Sequence, residues 1–271
     1  MAGNLWEKDN YTANITHLIN TDINVYDMKS ANISILKNDN LLTDEEYIKL
    51  MMLPKMQREI EIGLLSISRP EVKQSLSDGF IKYRHLLFED NDIEDYSVLS
   101  IKKDAVYLIN RTLSKTQYGN VYFREDGSYT SFYRLPNLEL FFKYPDTLEV
   151  KGINDNILNL YHKDYFSSLL CFIFQKAERE EKDILIKDLR FIIEQYLSFE
   201  LEPECYREFN RNSSFRFKPH YNIYGSGYDF GTTILTKELV DNFKEYIDIS
   251  YNYSILMHLY SYYLNSYIGQ A

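Results

Sequence analysis

Residues 22–36, DINVYDMKSANISIL, begin as a β-rich run and then turn to small and polar residues, the pattern of a strand giving way to a helix. A functional group at that junction would be exposed. Thr43-Asp-Glu-Glu46 has the spacing of a capping box and predicts a helix through Met52, and Pro54 restarts the chain into a second helix over Lys55–Leu65. These segments form a helical insert, about residues 40–90, between strands. Val98–Ile101 and Ala105–Asn110 read as short strands around Lys102-Lys103-Asp104, which puts Asp104 at a turn or strand start. Asn120–Arg124, Ser128–Arg134 and Leu138–Tyr144 predict an antiparallel meander. Its turns fall at Asp126-Gly127, the strongest hairpin signal in the chain, and at Pro136-Asn137.

From about residue 154 the apolar positions recur at three and four, predicting helices over Asn154–Glu180, Lys182–Phe199 and Thr236–Tyr267. Between the last two, Tyr206–Asp229 has no such period and reads as a long loop or irregular hairpin. The fold class is therefore α+β, with one domain over 1–153 and a mainly helical region over 154–271.

Composition narrows the function classes. Forty Asp and Glu against thirty Lys and Arg give a net charge of −10, so no general basic surface exists to hold nucleic acid by counterion release; any such site must be local. Cys171 and Cys205 are too few for a disulfide framework and lack metal-ligand spacing, and the five histidines have no His-x-x-x-His pair. The amino-terminal stretch lacks the apolar core of a signal peptide, and no apolar run approaches the roughly 18–20 residues needed to span a bilayer. The expectation is a cytoplasmic protein with no membrane partner.

Three segments carry chemistry. Asp27, at a strand end before Ser30-Ala31-Asn32, is placed either to hold a divalent cation or to cap the following helix. Lys55 and Arg58 share a helix face that could clamp phosphates, or form a solvated face in which Lys55 pairs with Glu59. Asp104, between apolar strands, is either a second metal carboxylate or a turn residue.

In order and spacing these segments resemble the A, B and C motifs of template-directed DNA polymerases, closest to family B. Asp27-x-x-Ser30-Ala31-Asn32-x-Ser34-Ile35 is similar to Asp-x-x-Ser-(Leu/Ala)-Tyr-Pro-Ser-Ile. Lys55-x-x-x-Glu59-x-x-Ile62-Gly63 keeps the Lys and Gly of Lys-x-x-x-Asn-x-x-Tyr-Gly. Lys102-Lys103-Asp104-Ala105 stands where Asp-Thr-Asp-Ser is expected. The resemblance implies a palm-like antiparallel sheet, a small fingers-like insert and a thumb-like helical remainder. It assigns Asp27 and Asp104 to the metal, Mg²⁺ or Mn²⁺, and Lys55 to the incoming nucleoside triphosphate; helical geometry adds Arg58. Asn32 replaces the tyrosine that packs under the sugar, which implies tolerance of a 2′-hydroxyl.

Farther on, Tyr206–Tyr221 interleaves Arg207, Arg211, Arg216 and Lys218 with five aromatic rings, a combination suited to single-stranded nucleic acid and equally to a loop packed on the core. The leading expectation is a minimal polymerase-like nucleotidyltransferase of a phage or mobile element, acting on a primer-template or on a protein hydroxyl. The alternative is a palm-like protein without catalysis that holds single-stranded nucleic acid or a replication partner. A third reading, a structural α+β protein, needs no convergence of Asp27 and Asp104.

Overall fold

The computed structural model describes residues 4–136, 138–151, 160–198, 200–201, 205 and 251–268. Its elements are strands β1 (Asn10–Thr12) and β2 (His17–Met28), helices α1 (Ala31–Asn38), α2 (Asp44–Met52), α3 (Lys55–Ser68) and α4 (Pro70–Asp90), strands β3 (Val98–Lys102), β4 (Ala105–Ile109), β5 (Gln117–Tyr118), β6 (Val121–Leu135), β7 (Leu138–Lys143) and β8 (Thr147–Lys151), and helices α5 (Leu160–Arg179), α6 (Lys182–Leu197) and α7 (Tyr251–Ile268). The protein is α+β with an antiparallel sheet, as its sequence pattern predicts. Although that pattern changes near residue 154, the two compact units part within β2 and within β6: one is 1–15 with 21–128, the other 16–20 with 129–271.

In the first unit the strands lie in the order β1-β3-β4-β2-β6, with β5 on β6. Alternation along β2 sends Tyr26 and Met28 to the face that packs on Ile35 of α1 and on Phe80, Leu87 and Phe88 of α4, while Asp27 points with Ile23 and Val25 to the opposite face. Burial of each large apolar side chain there contributes roughly 1.5–3 kcal/mol. Thr43 caps α2: its hydroxyl accepts from the Glu46 N–H at 3.1 Å, and the Glu46 carboxylate accepts from the Thr43 N–H at 2.9 Å. The predicted capping box is thus formed. Helix α4 lies close to α1 because Gly79 has no side chain. A Cβ there would meet Ile35 Cγ2 at 2.3 Å. Gly79→Ala is accordingly expected to lose roughly 1–3 kcal/mol in a denaturant titration, despite alanine's better helix propensity.

The predicted turn at Asp126-Gly127 is absent: residues 121–135 form one strand. An Asp-Gly pair favours a turn only where the glycine takes a positive φ, and here Gly127 takes none and lies inside a continuous strand that neighbours β2. The hairpin turn forms earlier, at Gly119-Asn120 between β5 and β6, where Gly119 has φ 64°. Asn38 replaces the missing turn contacts. Its amide accepts from the Asn120 N–H at 2.8 Å and donates to the Tyr118 carbonyl at 2.7 Å.

The second unit builds its own core. Strands β6, β7 and β8 pair in sequence, and Leu140 and Phe142 of β7 pack with Phe166, Leu170 and Phe174 of α5, Leu189 and Tyr196 of α6, and Leu256 of α7. Tyr133 stacks on Phe174 with ring centroids 4.2 Å apart. The stretches 154–159 and 236–250, where two of the predicted helices start, lie outside the described residues, and strand β8 has no counterpart in the sequence reading.

Candidate functional site

Asp27 occupies the last position of β2 paired with β4, opposite Ala105 at the start of that strand, and the Met28 N–H donates to the Asp104 carbonyl at 3.0 Å. The two aspartates, far apart in sequence, are thereby neighbours at one sheet end. Both are partly exposed. Burial raises the Asp27 carboxyl from its ordinary 3.8 to about 6; the negative charges of Asp104 and then Asp126 add to that rise, and Arg124 and Lys55 oppose it. A pair of partly desolvated like charges is a place where a bound cation relieves an existing cost.

A backbone clamp holds Asp104 in position. Lys102 and Ala105 pair across a two-residue turn in which Lys103 takes φ 54°, a conformation costly for a side chain with a Cβ. The Lys103 N–H donates to the Asp9 carbonyl at 2.6 Å, its carbonyl accepts from Arg84 Nη1, and its ammonium lies 4.8 Å from the centre of the Phe80 ring. Arg84 is fully buried and also donates to the Trp6 carbonyl at 2.8 Å and to Asp9 Oδ1 at 3.0 Å. Burial pushes its pKa down, and Asp9 and Asp104 push it back up. One guanidinium therefore fixes the amino-terminal segment and the Asp104 turn together.

The start of α3 faces the same region. Lys55 contributes to the field at Asp27, and Arg58 Nη1 donates to Ser30 Oγ at 3.4 Å. Ser30 precedes α1 with φ 50°, a second strained residue one turn from Asp27. Asn32 donates to Glu59 Oε2 at 2.7 Å, which ties the first turn of α1 to α3 and engages two of the residues that depart from the polymerase pattern. Lys102, which stands where the polymerase pattern has an aspartate, donates to Thr12 on β1 at 3.2 Å.

Arg124 and Asp126, an ion pair on β6, were outside the sequence reading of the site. Their signal is visible afterwards: β6 starts buried-exposed-buried-exposed, which puts residues 122, 124 and 126 on one face if the strand continues through the Asp-Gly pair. The Lys29 N–H to Tyr122 carbonyl bond, 2.9 Å, brings this part of β6 beside the end of β2. Arg207, Arg211, Arg216 and Lys218 lie outside the described residues.

Among the described residues no group of three or more His, Cys, Asp or Glu could hold a metal, and no helix is long and apolar enough to cross a membrane. Two carboxylates still suit Mg²⁺, which keeps several waters and commonly takes one or two carboxylates plus substrate phosphates. The family model described as Bacteriophage PBS1 gene 130 protein matches residues 1–265. No curated protein matches the chain.

Proposed function

From the premise that this chain belongs to the bacteriophage PBS1 gene 130 protein family, we propose that it is a small polymerase-like nucleotidyltransferase with its centre at Asp27 and Asp104. The observation that carries this reading is the adjacency of the two carboxylates, strong enough for Asp104 to raise the pKa of Asp27. Mg²⁺ or Mn²⁺ held by these oxygens would supply charge neutralisation and activation of the attacking hydroxyl. The remaining roles belong to the chain. Lys55 and Arg58 draw in and orient the triphosphate, with the first-turn N–H groups of α1, which Ser30 does not cap through its side chain, as further donors to phosphate oxygens. Asn32, held by Glu59, offers a polar neighbour to the sugar in place of a ring.

The test is incorporation of labelled ribo- and deoxyribonucleotides with Mg²⁺ or Mn²⁺, across primer-templates, single strands and protein hydroxyl acceptors. Asp104→Ala is expected to lose at least about a hundredfold in rate with its fold retained by circular dichroism. Folded wild-type protein without incorporation under any of these conditions would remove the enzymatic reading.

The small acidic set favours a second reading, a palm-like protein that binds single-stranded nucleic acid or a replication partner without turnover. Salt-dependent binding weakened by Arg207→Ala and Arg216→Ala, with no incorporation, is the expected result in that case.

A further inference from the structure

We propose that the outer face of α2 and α3 is the interface at which two copies of this chain associate. Met56, Ile60, Leu64 and Ile67 follow one another at spacings of four, four and three along α3, and they are 75%, 56%, 55% and 80% exposed. Such a stripe normally faces a core. Here the core is served by the other side of the helix, where Ile62 is buried with Leu50 and Val72. Ile48 and Met52 of α2, also more than half exposed, extend the apolar surface. Together these side chains expose on the order of 800 Å², above the few hundred Å² ordinary for a monomer and near what one partner contributes to a standard interface.

Gly63 supplies an independent reason for close approach from outside. It lies on the stripe, in a helix interior where glycine is unfavourable, and a Cβ built on it meets nothing within 4 Å. The contrast with Gly79 is direct, because that glycine is required by Ile35. No described residue of the chain requires Gly63. A second helix crossing at this point would.

The occupant that fits is another α3 in antiparallel register. Two-fold pairing about a point near residue 62, one residue from Gly63, sets Met56 against Ile67 and Ile60 against Leu64, apolar on apolar. The stripe is flanked by Glu59 and Glu61 in its first half and by Ser66 and Ser68 in its second. The same acidic flank is unsuited to an anionic lipid surface, which binds helices through Lys and Arg. By helical rotation Lys55 and Arg58 lie on the inward side with Ile62, so the interface and the candidate site occupy opposite sides of α3.

The experiment is sedimentation equilibrium of the full-length chain over the micromolar range. The wild type is expected to be a dimer, and Ile60→Glu and Leu64→Glu are each expected to raise its dissociation constant at least about thirtyfold while leaving the circular dichroism spectrum unchanged. Gly63→Leu is expected to weaken the dimer without lowering the melting temperature of the dilute protein, since the helix has room for the side chain and gains propensity. A wild type that stays monomeric into the hundreds of micromolar overturns the assignment, as does a dimer indifferent to all three substitutions. Either result leaves the nucleotidyltransferase reading standing, because none of these residues faces Asp27.

Discussion

Asp27→Asn is expected to cut divalent-cation-dependent nucleotide incorporation about a thousandfold or more while making the cation-free protein more stable at about pH 8. The first effect follows from losing one of the two carboxylates proposed to hold the cation. The second follows from the sign of the pKa shift. Asp27 titrates near 6 in the folded protein against 3.8 ordinarily, so folding favours the protonated form. That preference is fully present below about pH 4 and is lost as pH rises through about 6, above which the ionised carboxylate is a net cost. Allowing for the water that reaches a half-buried group, the cost is roughly 1–2 kcal/mol. Melting temperatures of wild type and variant, measured without divalent cations, should therefore separate between about pH 4 and 6 and stay apart above it. Added Mg²⁺ should raise the wild type alone. Parallel curves across that range would show that Asp104 and burial do not act on Asp27 as described.

Arg84→Met carries the largest stability effect expected here. The substitution conserves much of the side-chain volume but removes every donor to the Trp6 and Lys103 carbonyls and the partner of Asp9. Two carbonyls left without the guanidinium, together with an ion pair whose Asp9 side is exposed, should cost roughly 2–4 kcal/mol in urea unfolding. For a chain of this size that is a melting temperature lower by on the order of 10 °C. The loss should also reach the candidate site. Lys103 keeps its strained φ only because several contacts impose it, and without Arg84 the turn is free to relax and carry Asp104 out of alignment. Hydrogen exchange at the amides of residues 102–105 should rise more than at the centre of β4. Uniform protection in the variant would dissociate Arg84 from the turn.

The parts of this site legible in the sequence were those governed by local rules. Asp27 could be placed at a strand end because the alternation stops at Met28 and small residues follow, and the Thr43 box marked the start of α2 because both of its hydrogen bonds are made within four residues. Non-local causes were hidden. Asp126-Gly127 carries a strong local turn preference, yet residues 121–135 run on as one strand, which brings Arg124 and Asp126 to the site they help to charge. Arg84 reads as one more cation on a helix; only the convergence of Trp6, Asp9 and Lys103 gives it a buried role. The period of α3 likewise marks an apolar face without saying what covers it.

The placement of β1 has a consequence for synthesis on the ribosome. Asn10–Thr12 pairs with Ser100–Lys102, and the end of β2 pairs with Ala105–Ile109, so the earliest strands to emerge have their backbone partners encoded about eighty to ninety residues later. Helices α1 to α4 can form locally in the interval. The ladder beside Asp27 cannot, and a nascent chain halted before residue 98 would present two unzipped β segments to any neighbour able to template on them.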